Sequence, residues 1–509
     1  MEIKGFWAEA AAAPDQPAVI DEAGSVTTFG ELGNRVDRLS RGMRARGIGV
    51  GDTVAVLLPN GVDLLALQFA ALQIGAYFTP VNRHLTGGET AYILGDSEAR
   101  LFVADAHYAQ AAREAVTTVG LPADARLSCG PIDGFGDLAA LEAGPAVPVE
   151  DRTAGSMLLY SSGTTGRPKG IRKPLSGLCP EEDWQPAVAG MAAMFGLTPR
   201  AGVVLTAGPL YHAAPNQFTT VGLHLGHPVV LCRKFDAAQS LALIERHKVS
   251  WGFMVPTMFQ RMLALPGQQR DAYDLSSLRA VAHAGAPCSA ATKQAMHDWM
   301  GPVVFEFYGA SESGTATLAR PEDWLEHPGT VGRAVPGMDV RIRDDDGTEL
   351  PPGEPGLIHI SGGPRFDYHG DPRKTVASWR GDYFIPGDIG YLDKDGWLYL
   401  CDRRTDMIVS GGVNIYPAEV EGELLQHPAV ADAVVIGVPD EEWGQRVVAL
   451  VALEPGTTPT QEELVTHCRS RLAGYKCPRQ VVFRDRLPRN QAGKINRIRV
   501  RDAYLASLG

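Results

Sequence analysis

The sequence predicts an α/β fold built on parallel sheets, followed by a smaller α+β domain at the C-terminal end. Up to about Gly329, short β-branched runs alternate with helical patterns, and strands separated by helices of roughly 10–15 residues are typical of parallel sheets. Beyond Gly329, turn sequences such as Asp344–Gly347 and Asp393–Gly396 separate short apolar runs, which indicates antiparallel hairpins. The pattern changes again near Arg403, and the roughly 100 residues that follow suffice for a small domain.

The predicted elements follow one another in strand–helix order. Val54–Pro59 and Leu101–Asp105 are predicted strands, and the helices after them are expected over about residues 62–73 and up to about residue 115. The apolar stretch Leu64–Phe78 contains two glutamines and is shorter than the ~20 residues of a membrane span, so we predict a buried helix. Three further strands are predicted at Val203–Gly208, Val229–Cys232 and Leu278–Gly285.

The composition is that of an ordinary globular protein. At ~100–200 residues per domain, 509 residues allow about two to four domains. A net charge of −12 argues against binding to nucleic acid or stable insertion into an anionic membrane. The seven cysteines are scattered and form no C-x-x-C pair, so neither a disulfide framework nor a structural zinc site is expected. Glu9 and Asp15 interrupt the apolar core that a signal peptide would need, and we expect a cytoplasmic protein.

The C-terminal part carries a basic run of its own. Between Arg469 and Arg501 there are eleven lysines and arginines, against Asp485 as the single acidic residue. In a chain of net negative charge this asymmetry suggests an anionic partner, although a solvated basic face would give the same composition.

The most specific motif is YSSGTTGRPKG, which spans Tyr160–Gly170 and follows a short apolar run. Glycines allow backbone N–H groups to approach a polyphosphate, the hydroxyls add donors, and Lys169 adds positive charge. The spacing is not that of a Walker A loop. A merely flexible loop would have a similar composition, so this string alone does not decide the function.

The string resembles the phosphate loop of the adenylate-forming superfamily, which includes acyl-CoA synthetases, aryl-CoA ligases, luciferases and the adenylation domains of peptide synthetases. Other motifs of that superfamily recur in the same order as far as residue 497, so the resemblance covers essentially the whole chain. These motifs are Gly285–Pro287 (GAP), Tyr308–Gly314 (YGASESG), Gly353–Gly363, Pro386–Gly390 (PGDIG), Asp402–Glu421 and Leu487–Arg497.

This resemblance implies a particular architecture. A large N-terminal domain, residues 1–402, is expected to hold two α/β layers and a distorted β-barrel. A small, mobile α+β domain, residues 403–509, is expected to rotate over it about a hinge near Thr405. The superfamily usually has Asp or Lys at this hinge position, so the side-chain interactions of Thr405 must differ.

The resemblance also implies how the nucleotide is bound. Tyr308 is expected to stack on adenine, since an aromatic ring beside a glycine can lie flat on a base. Asp388 is expected to hydrogen-bond the ribose with the help of Arg403, although Pro386 replaces a more usual threonine nearby. The predicted ATP- and AMP-binding residues are Ser161, Ser162, Gly163, Thr164, Thr165, Gly166, Gly285, Ala286, Pro287, Tyr308, Gly309, Ser311, Asp388 and Arg403.

Three residues are predicted to be catalytic. Lys494 is expected to reach across from the small domain and stabilise the charge that develops when a carboxylate attacks the α-phosphate. Lys169 is expected to act on the phosphates, and Glu312 to bind the magnesium ion that bridges them. Gly411 and Gly412 are predicted to lie on a loop that lines the pantetheine tunnel in the second half-reaction.

The acyl pocket is predicted from the segment Pro209–Asn216, whose histidine borders the acyl group in the superfamily. The residues expected to line it are His212, Ala213, Ala310 and Gly314. The segment contains no aspartate, whereas relatives that activate amino acids use one to hold the α-ammonium group. Small residues leave room for a bulky or long apolar acid. Downstream of Lys169, the sequence Arg172-Lys173-Pro174 departs from the usual pattern.

The function implied is that of an ATP-dependent acyl-CoA synthetase that uses ATP, Mg²⁺ and coenzyme A. A carboxylic acid reacts with ATP to give an acyl-adenylate and pyrophosphate, and the thiol of coenzyme A then displaces AMP. Two alternatives stay open: a ligase that loads a carrier protein, and a non-catalytic nucleotide-binding regulator. Lys494, Glu312 and Asp388 argue against the regulator. A homodimer is a further open alternative.

Overall fold

The computed structural model describes residues 3–161, 168–403, 406–410, 413–440, 443–489 and 495–508. The chain forms two compact units. The first comprises residues 1–254, 264–282 and 364–377, and the second comprises residues 255–263, 283–363 and 378–509.

The α-helices, numbered along the chain, alternate with strands in the first half and are sparser in the second. They are α1 (Phe6–Ala12), α2 (Phe29–Ala45), α3 (Val62–Leu72), α4 (Gly87–Asp96), α5 (Ala109–Val119), α6 (Pro180–Phe195), α7 (Ala213–His224), α8 (Ala237–His247), α9 (Pro256–Leu263), α10 (Gly267–Arg270), α11 (Ala290–Met300), α12 (Pro321–Glu326), α13 (Pro372–Ala377), α14 (Pro417–Leu424), α15 (Gln461–Arg469) and α16 (Arg497–Ala506).

The strands are mostly short. They are β1 (Pro17–Asp21), β2 (Val26–Thr28), β3 (Thr53–Leu57), β4 (Tyr77–Pro80), β5 (Ala99–Asp105), β6 (Arg126–Cys129), β7 (Gly136–Asp137), β8 (Ser156–Met157), β9 (Leu159–Ser161), β10 (Lys169–Arg172), β11 (Val204–Thr206), β12 (Val229–Leu231), β13 (Trp251–Met254), β14 (Ala280–His283), β15 (Val304–Ala310), β16 (Gly314–Ala319), β17 (Arg333–Ala334), β18 (Asp339–Arg343), β19 (Gly356–Ser361), β20 (Asp367–Tyr368), β21 (Trp379–Arg380), β22 (Tyr383–Phe384), β23 (Asp388–Leu392), β24 (Leu398–Arg403), β25 (Ile408–Ser410), β26 (Val413–Ile415), β27 (Val430–Asp440), β28 (Gly444–Leu453) and β29 (Gln480–Phe483).

The first unit is built on two largely parallel sheets. One has six parallel strands in the order β7-β6-β5-β3-β4-β8. In the other, β13, β11, β12 and β1 are parallel neighbours and β2 pairs antiparallel with β1. Strands β3 and β5 are almost fully buried, as expected of parallel strands covered on both faces. Helices α4 and α5 pack against the first of these sheets through an aliphatic core.

Local sequence signals fix several helix starts. In α2, the Thr28 hydroxyl accepts a hydrogen bond from Glu31 N, and the Glu31 carboxylate accepts one from Thr28 N. The same threonine–glutamate box begins α4 and α15. Each box satisfies backbone N–H groups that would otherwise lack a partner in the first turn.

The second unit is dominated by antiparallel pairs. Strands β15, β16 and β17 pair in that order, and β19 lies among β18, β22 and β23, with β24 beyond β23. In the C-terminal part, β27 and β28 form a long hairpin and β29 runs parallel to β28. Alternate residues of β27 face two separate cores: Val435 packs with α14 and α15, and Val434 packs with α16.

The sequence-based expectations for the elements are confirmed. Residues 54–57 lie in β3, residues 101–105 in β5, and the turn sequence Asp393–Gly396 joins the antiparallel strands β23 and β24. The apolar stretch from Leu64 becomes the buried helix α3. None of the helices in the described ranges is long and apolar enough to cross a membrane. Closure of a distorted barrel and the domain boundary at residues 402/403 stay predictions.

Candidate active site

The phosphate-loop motif lies on a hairpin. Strands β9 and β10 pair antiparallel, with Ser161 opposite Lys169 and Tyr160 opposite Gly170. Residues 162–167, which include the predicted phosphate ligands Ser162, Gly163, Thr164, Thr165 and Gly166, lie outside the described residues. A strand therefore leads into the motif and a second strand leaves it, unlike the strand–loop–helix order of a P-loop.

Lys169 has a carboxylate partner that the sequence did not reveal. Its Nζ lies 3.2 Å from Asp371 Oδ2, and the lysine side chain is largely buried. The other oxygen of Asp371 accepts a hydrogen bond from Lys374 N at 3.0 Å. This backbone hydrogen bond and Lys169 hold the pKa of Asp371 below its usual value. A cation held beside a charged carboxylate can exchange that partner for a phosphate oxygen.

The structure explains why Arg172 and Lys173 stand at positions where the sequence departs from the usual superfamily pattern. The Arg172 guanidinium lies over the Tyr77 ring at 4.5 Å, and its Nη1 is 3.4 Å from His369 Nδ1. The Tyr77 hydroxyl donates to the carbonyl oxygen of Lys173 at 2.9 Å. The unusual basic residues thus anchor β10 within the first unit. The absence of a side chain at Gly170 allows the Tyr160 ring to lie close to β10, because a Cβ there would lie 3.1 Å from that ring.

Two of the predicted nucleotide ligands lie in direct contact in the second unit. Tyr308 on β15 is 8% exposed, and its hydroxyl donates a 2.7 Å hydrogen bond to Asp388 Oδ2 at the start of β23. The residue paired with Asp388 across the β23–β24 ladder is Arg403. Three residues that sequence motifs predict to hold one nucleoside are therefore brought together, two by a side-chain hydrogen bond and the third by backbone pairing.

The YGASESG motif forms a tight hairpin between β15 and β16. Ala310 pairs with Gly314, and Ser311 and Glu312 lie in the turn. Glycine is required at position 309, since a Cβ would lie 2.0 Å from the carbonyl oxygen of Gly314. Glu312 is 9% exposed.

The GAP motif directly follows β14, with Gly285 at φ +84°. A glycine is favoured there because this φ strains other residues. Ala286 is partly exposed and Pro287 is exposed.

His212 is the N-cap residue of α7 in the first unit, and its ring lies 4.6 Å from that of Tyr211. Two buried amides fix the segment before it. Asn60 donates to the carbonyl oxygen of Gly208 and accepts from Leu210 N, and Asn216 donates to the carbonyl oxygen of Leu210. Of the other predicted acyl-pocket residues, Ala213 begins α7, and Ala310 and Gly314 belong to the second unit.

Several predicted site residues lie outside the described ranges. They are the catalytic Lys494, the hinge Thr405 and the loop glycines Gly411 and Gly412. Their neighbours are placed: Ser410 pairs with Val413 in the β25–β26 hairpin. Arg497, close to Lys494 in sequence, forms ion pairs of 2.8 Å with Asp406 and 2.7 Å with Glu421.

Of the eleven basic residues of the run, five form ion pairs with carboxylates among the described residues, and an anionic partner of the run stays a prediction. These carboxylates come from upstream segments or, for Arg501, from the next residue. The paired residues are Arg471, Lys476, Arg489, Arg497 and Arg501. Four of these five residues have partners that are distant in the sequence. Arg479 differs, since its guanidinium lies over the ring of Trp443, which is 37% exposed.

Comparison with known proteins decides the family. Residues 6–364 match the AMP-binding enzyme family, and residues 419–494 match the C-terminal domain of AMP-binding enzymes. The chain belongs to the AMP-binding enzyme family. It is an adenylate-forming, AMP-forming acid–thiol ligase whose co-substrates are ATP and coenzyme A, with Mg²⁺ general to the family.

Similarity to individual members extends over nearly the full length. The chain is 37% identical over 489 residues to a feruloyl-CoA synthase of an Amycolatopsis species, which covers 95% of each chain. It is 35% identical over 496 residues to the 2-succinylbenzoate–CoA ligase of Geobacillus kaustophilus, covering 95% of this chain and 94% of the relative. The structure of o-succinylbenzoate CoA synthetase from Bacillus subtilis with its acyl-adenylate intermediate is similar at a TM-score of 0.84 and 30% identity, over 98% of both chains. These similarities confirm the predicted α/β fold with a separate C-terminal domain.

Proposed function

We propose that this AMP-binding enzyme is a CoA synthetase for a bulky apolar carboxylic acid, with aromatic acids the first class to test. The observation that carries the adenylation step is the hydrogen bond from Tyr308 to Asp388, with Arg403 opposite Asp388 in the ladder. An aromatic ring beside a carboxylate suits an adenosine, whose base can stack and whose ribose hydroxyls can donate.

In the first half-reaction, a carboxylate oxygen of the acid attacks the α-phosphorus of ATP and pyrophosphate leaves. Lys169 exchanges Asp371 for a phosphate oxygen, and Lys494 stabilises the charge on the α-phosphate. Mg²⁺ would be held by Glu312 together with ATP. Among the described residues no group of three or more His, Cys, Asp or Glu could hold a metal, which fits an ion held by one carboxylate and the phosphates of ATP.

In the second half-reaction, the thiolate of coenzyme A attacks the acyl carbon and AMP leaves. We assign this step to a different arrangement of the small domain, residues 403–509, reached by rotation near Thr405. The loop with Gly411 and Gly412 then approaches the pantetheine arm, where a side chain would block it. Lys494 moves away once the adenylate has formed.

The acid class follows from the segment around His212. An aspartate that could hold an α-ammonium group is missing from residues 209–216, and Ala213 and Ala214 are small. The names of two full-length relatives, feruloyl-CoA synthase and 2-succinylbenzoate–CoA ligase, both specify acids with an aromatic ring. An aromatic ring on a short side chain is the substrate that these features favour together.

An exposed aromatic–cation pair supports coenzyme A over a carrier protein as the acceptor. Trp443 and Arg479 are both exposed in the C-terminal part, and the guanidinium carbon of Arg479 lies 4.8 Å from the centre of the Trp443 ring. An indole can stack on the adenine of coenzyme A and a guanidinium can bind its phosphates, whereas the phosphopantetheine arm of a carrier protein carries no adenine.

A panel assay tests the proposal. Pyrophosphate and AMP release are measured with aromatic, fatty and terpenoid acids, with and without coenzyme A, and with a phosphopantetheinylated carrier protein. We expect thioester and AMP from an aromatic acid only when coenzyme A is present. Acylation of the carrier protein alone would replace this proposal by the carrier-protein alternative, and ATP binding without pyrophosphate release would indicate the regulator.

A further inference from the structure

The second unit contains a buried ion pair between α11 and β15, the strand that carries Tyr308. Lys293 on α11 is 1% exposed and Glu306 on β15 is 8% exposed, and Lys293 Nζ lies 2.7 Å from Glu306 Oε2. Burial lowers the pKa of Lys293 and raises that of Glu306, while their mutual attraction acts the other way. A single buried charge would be strongly unfavourable here, so the two groups depend on each other.

Other side chains complete the environment of this pair. The Lys293 ammonium lies 4.8 Å from the centre of the Trp324 ring on α12. The His297 ring stacks on the same tryptophan, with 5.5 Å between the ring centres. His283 Nε2 is 3.6 Å from Glu306 Oε2. Burial lowers the pKa of His283 well below its usual range, so this ring is neutral. Lys293 therefore links β15 to α11 and α12.

A buried ion pair of this kind contributes little net stability, because the desolvation of both charges offsets their attraction. Apolar side chains of similar volume would fill the same space at least as well. The best-attested use of such a pair is to select one register among several. In this protein, one partner of the pair lies on β15, the strand that carries Tyr308.

The burial of the β15 side chains alternates along the strand. Phe305 and Phe307 lie on one face, and Val304, Glu306 and Tyr308 lie on the other. The face with Val304, Glu306 and Tyr308 is buried and the other is half-buried, so a slip by one residue would move Glu306 off the buried face and leave Lys293 buried without its carboxylate. The pairing of β15 with β16 also shifts between Tyr308 and Gly309, where a bulge interrupts the ladder. The ion pair of Glu306 with Lys293 therefore adds a charge requirement to the register that the alternating burial already favours.

We propose that Lys293 is a positioning residue of the adenylate site: its ion pair with Glu306 fixes the register of β15 and thereby the face on which Tyr308 meets the nucleotide. This proposal rests on the proposed role of Tyr308. Glu306 precedes Tyr308 by two residues and lies on the same face of β15. The hydroxyl of Tyr308 is in turn fixed by its hydrogen bond to Asp388. The ion pair and this hydrogen bond thus hold the strand immediately before its bulge.

The test separates positioning from stability by means of a double variant. Lys293→Met and Glu306→Leu each leave one buried charge without a partner, whereas the double variant Lys293→Met/Glu306→Leu leaves none. Lys248→Met, which removes an exposed ion pair with Asp274 at 2.8 Å, is the matched control. For each protein we measure the melting temperature, the Kd of MgATP by calorimetry, and the KM values for ATP and coenzyme A.

We expect the double variant to recover the melting temperature that the single variants lose, but to keep a Kd for MgATP raised by about tenfold to 100-fold, since the stacking contact between Tyr308 and the base is weakened. Its KM for coenzyme A should be unchanged. Wild-type affinity for MgATP in a stable double variant would overturn the proposal. If that variant does not fold, Glu306→Asp, which keeps both charges but shortens the reach, is measured instead, and an unchanged Kd contradicts the proposal.

Failure of the proposed substrate class leaves this test intact. If the wild-type enzyme adenylates none of the aromatic acids, the acid assignment is wrong, but the affinity for MgATP in the absence of any acid still decides the role of Lys293. If wild-type protein binds MgATP and the Tyr308→Ala variant binds it equally well, the premise about Tyr308 is wrong and the proposal falls with it.

Discussion

Tyr308 and Asp388 are 80 positions apart in the sequence, and the tyrosine hydroxyl donates a 2.7 Å hydrogen bond to Asp388 Oδ2. The two residues belong to different motifs, one on β15 and one on β23. Because of this contact, a substitution at either residue is expected to alter the orientation of the other side chain.

Tyr308→Phe should raise the KM for ATP several-fold and leave the KM for the acid unchanged. The ring that stacks on adenine is kept, and only the hydrogen bond that orients Asp388 is lost, a net contribution of about 1 kcal/mol. Asp388→Ala should raise the KM for ATP much further. Tyr383→Phe is the matched control, because its hydroxyl donates to Asp339 in a similar pair. Equal effects of Tyr308→Phe and Tyr383→Phe would contradict a specific role for Tyr308.

Strands and motifs could be predicted because both are local in sequence. The apolar, β-branched composition of β3 and β5 is visible in the sequence itself. The glycines at 285 and 309 stand where a positive φ or the close approach of another backbone atom favours glycine. The approach of Tyr308 to Asp388 was expected only through the resemblance to known enzymes, because no local pattern encodes a contact over that distance.

The sequence did not show which charged residues form ion pairs with residues far away along the chain. Asp371, which holds Lys169, lies 202 residues from it. Some residues of the basic run pair with carboxylates that lie far upstream: Arg497 binds Asp406 across 91 positions, and Arg489 binds Asp432 across 57. An ion pair depends on tertiary packing, which composition within a window cannot reveal.

Lys494→Ala should abolish most adenylation but spare the second half-reaction. Removing a positioned cation that stabilises transition-state charge costs on the order of 100-fold to 1,000-fold in rate. Thioester formation from synthetic acyl-adenylate and coenzyme A should stay near the wild-type rate, since no phosphate charge develops in that step. Arg499→Ala, an exposed residue of the same basic run, is the control. Equal loss of both half-reactions would sink the assignment of Lys494.

Gly412→Leu should have the opposite effect. Pyrophosphate exchange should stay intact while acylation of coenzyme A falls by at least about tenfold, because the loop is proposed to approach the thiol only after the small domain rotates. Gly422→Leu on α14 is the matched control, since a Cβ at that position meets no atom within 4 Å. If pyrophosphate exchange fell as far as thioester output, the loop would act in the first step as well.

The first unit contains a histidine that must stay neutral. His224, at the end of α7, is 2% exposed and accepts a hydrogen bond from Phe6 N at 3.1 Å. Its ring stacks on Trp184 at 5.3 Å. Burial lowers the pKa of His224 to about 3, whereas a histidine in an unfolded chain titrates near ~6.5.

Acid should therefore destabilise this protein through His224, and His224→Phe should weaken that effect. The pKa of His224 is lower in the folded protein than in the unfolded chain, so the unfolded chain binds a proton first as the pH falls. The contribution of His224 to the free energy of unfolding is therefore fully present above pH ~6.5 and is lost as the pH falls toward 3. Between pH 7 and pH 5 this histidine should cost about 2 kcal/mol, measured as the change in the free energy of urea unfolding. The variant should lose less over that interval, whereas Trp184→Phe, which alters the same stack without removing a titrating group, should behave as the wild type does. An unchanged pH dependence in His224→Phe would show that His224 is not the group that titrates.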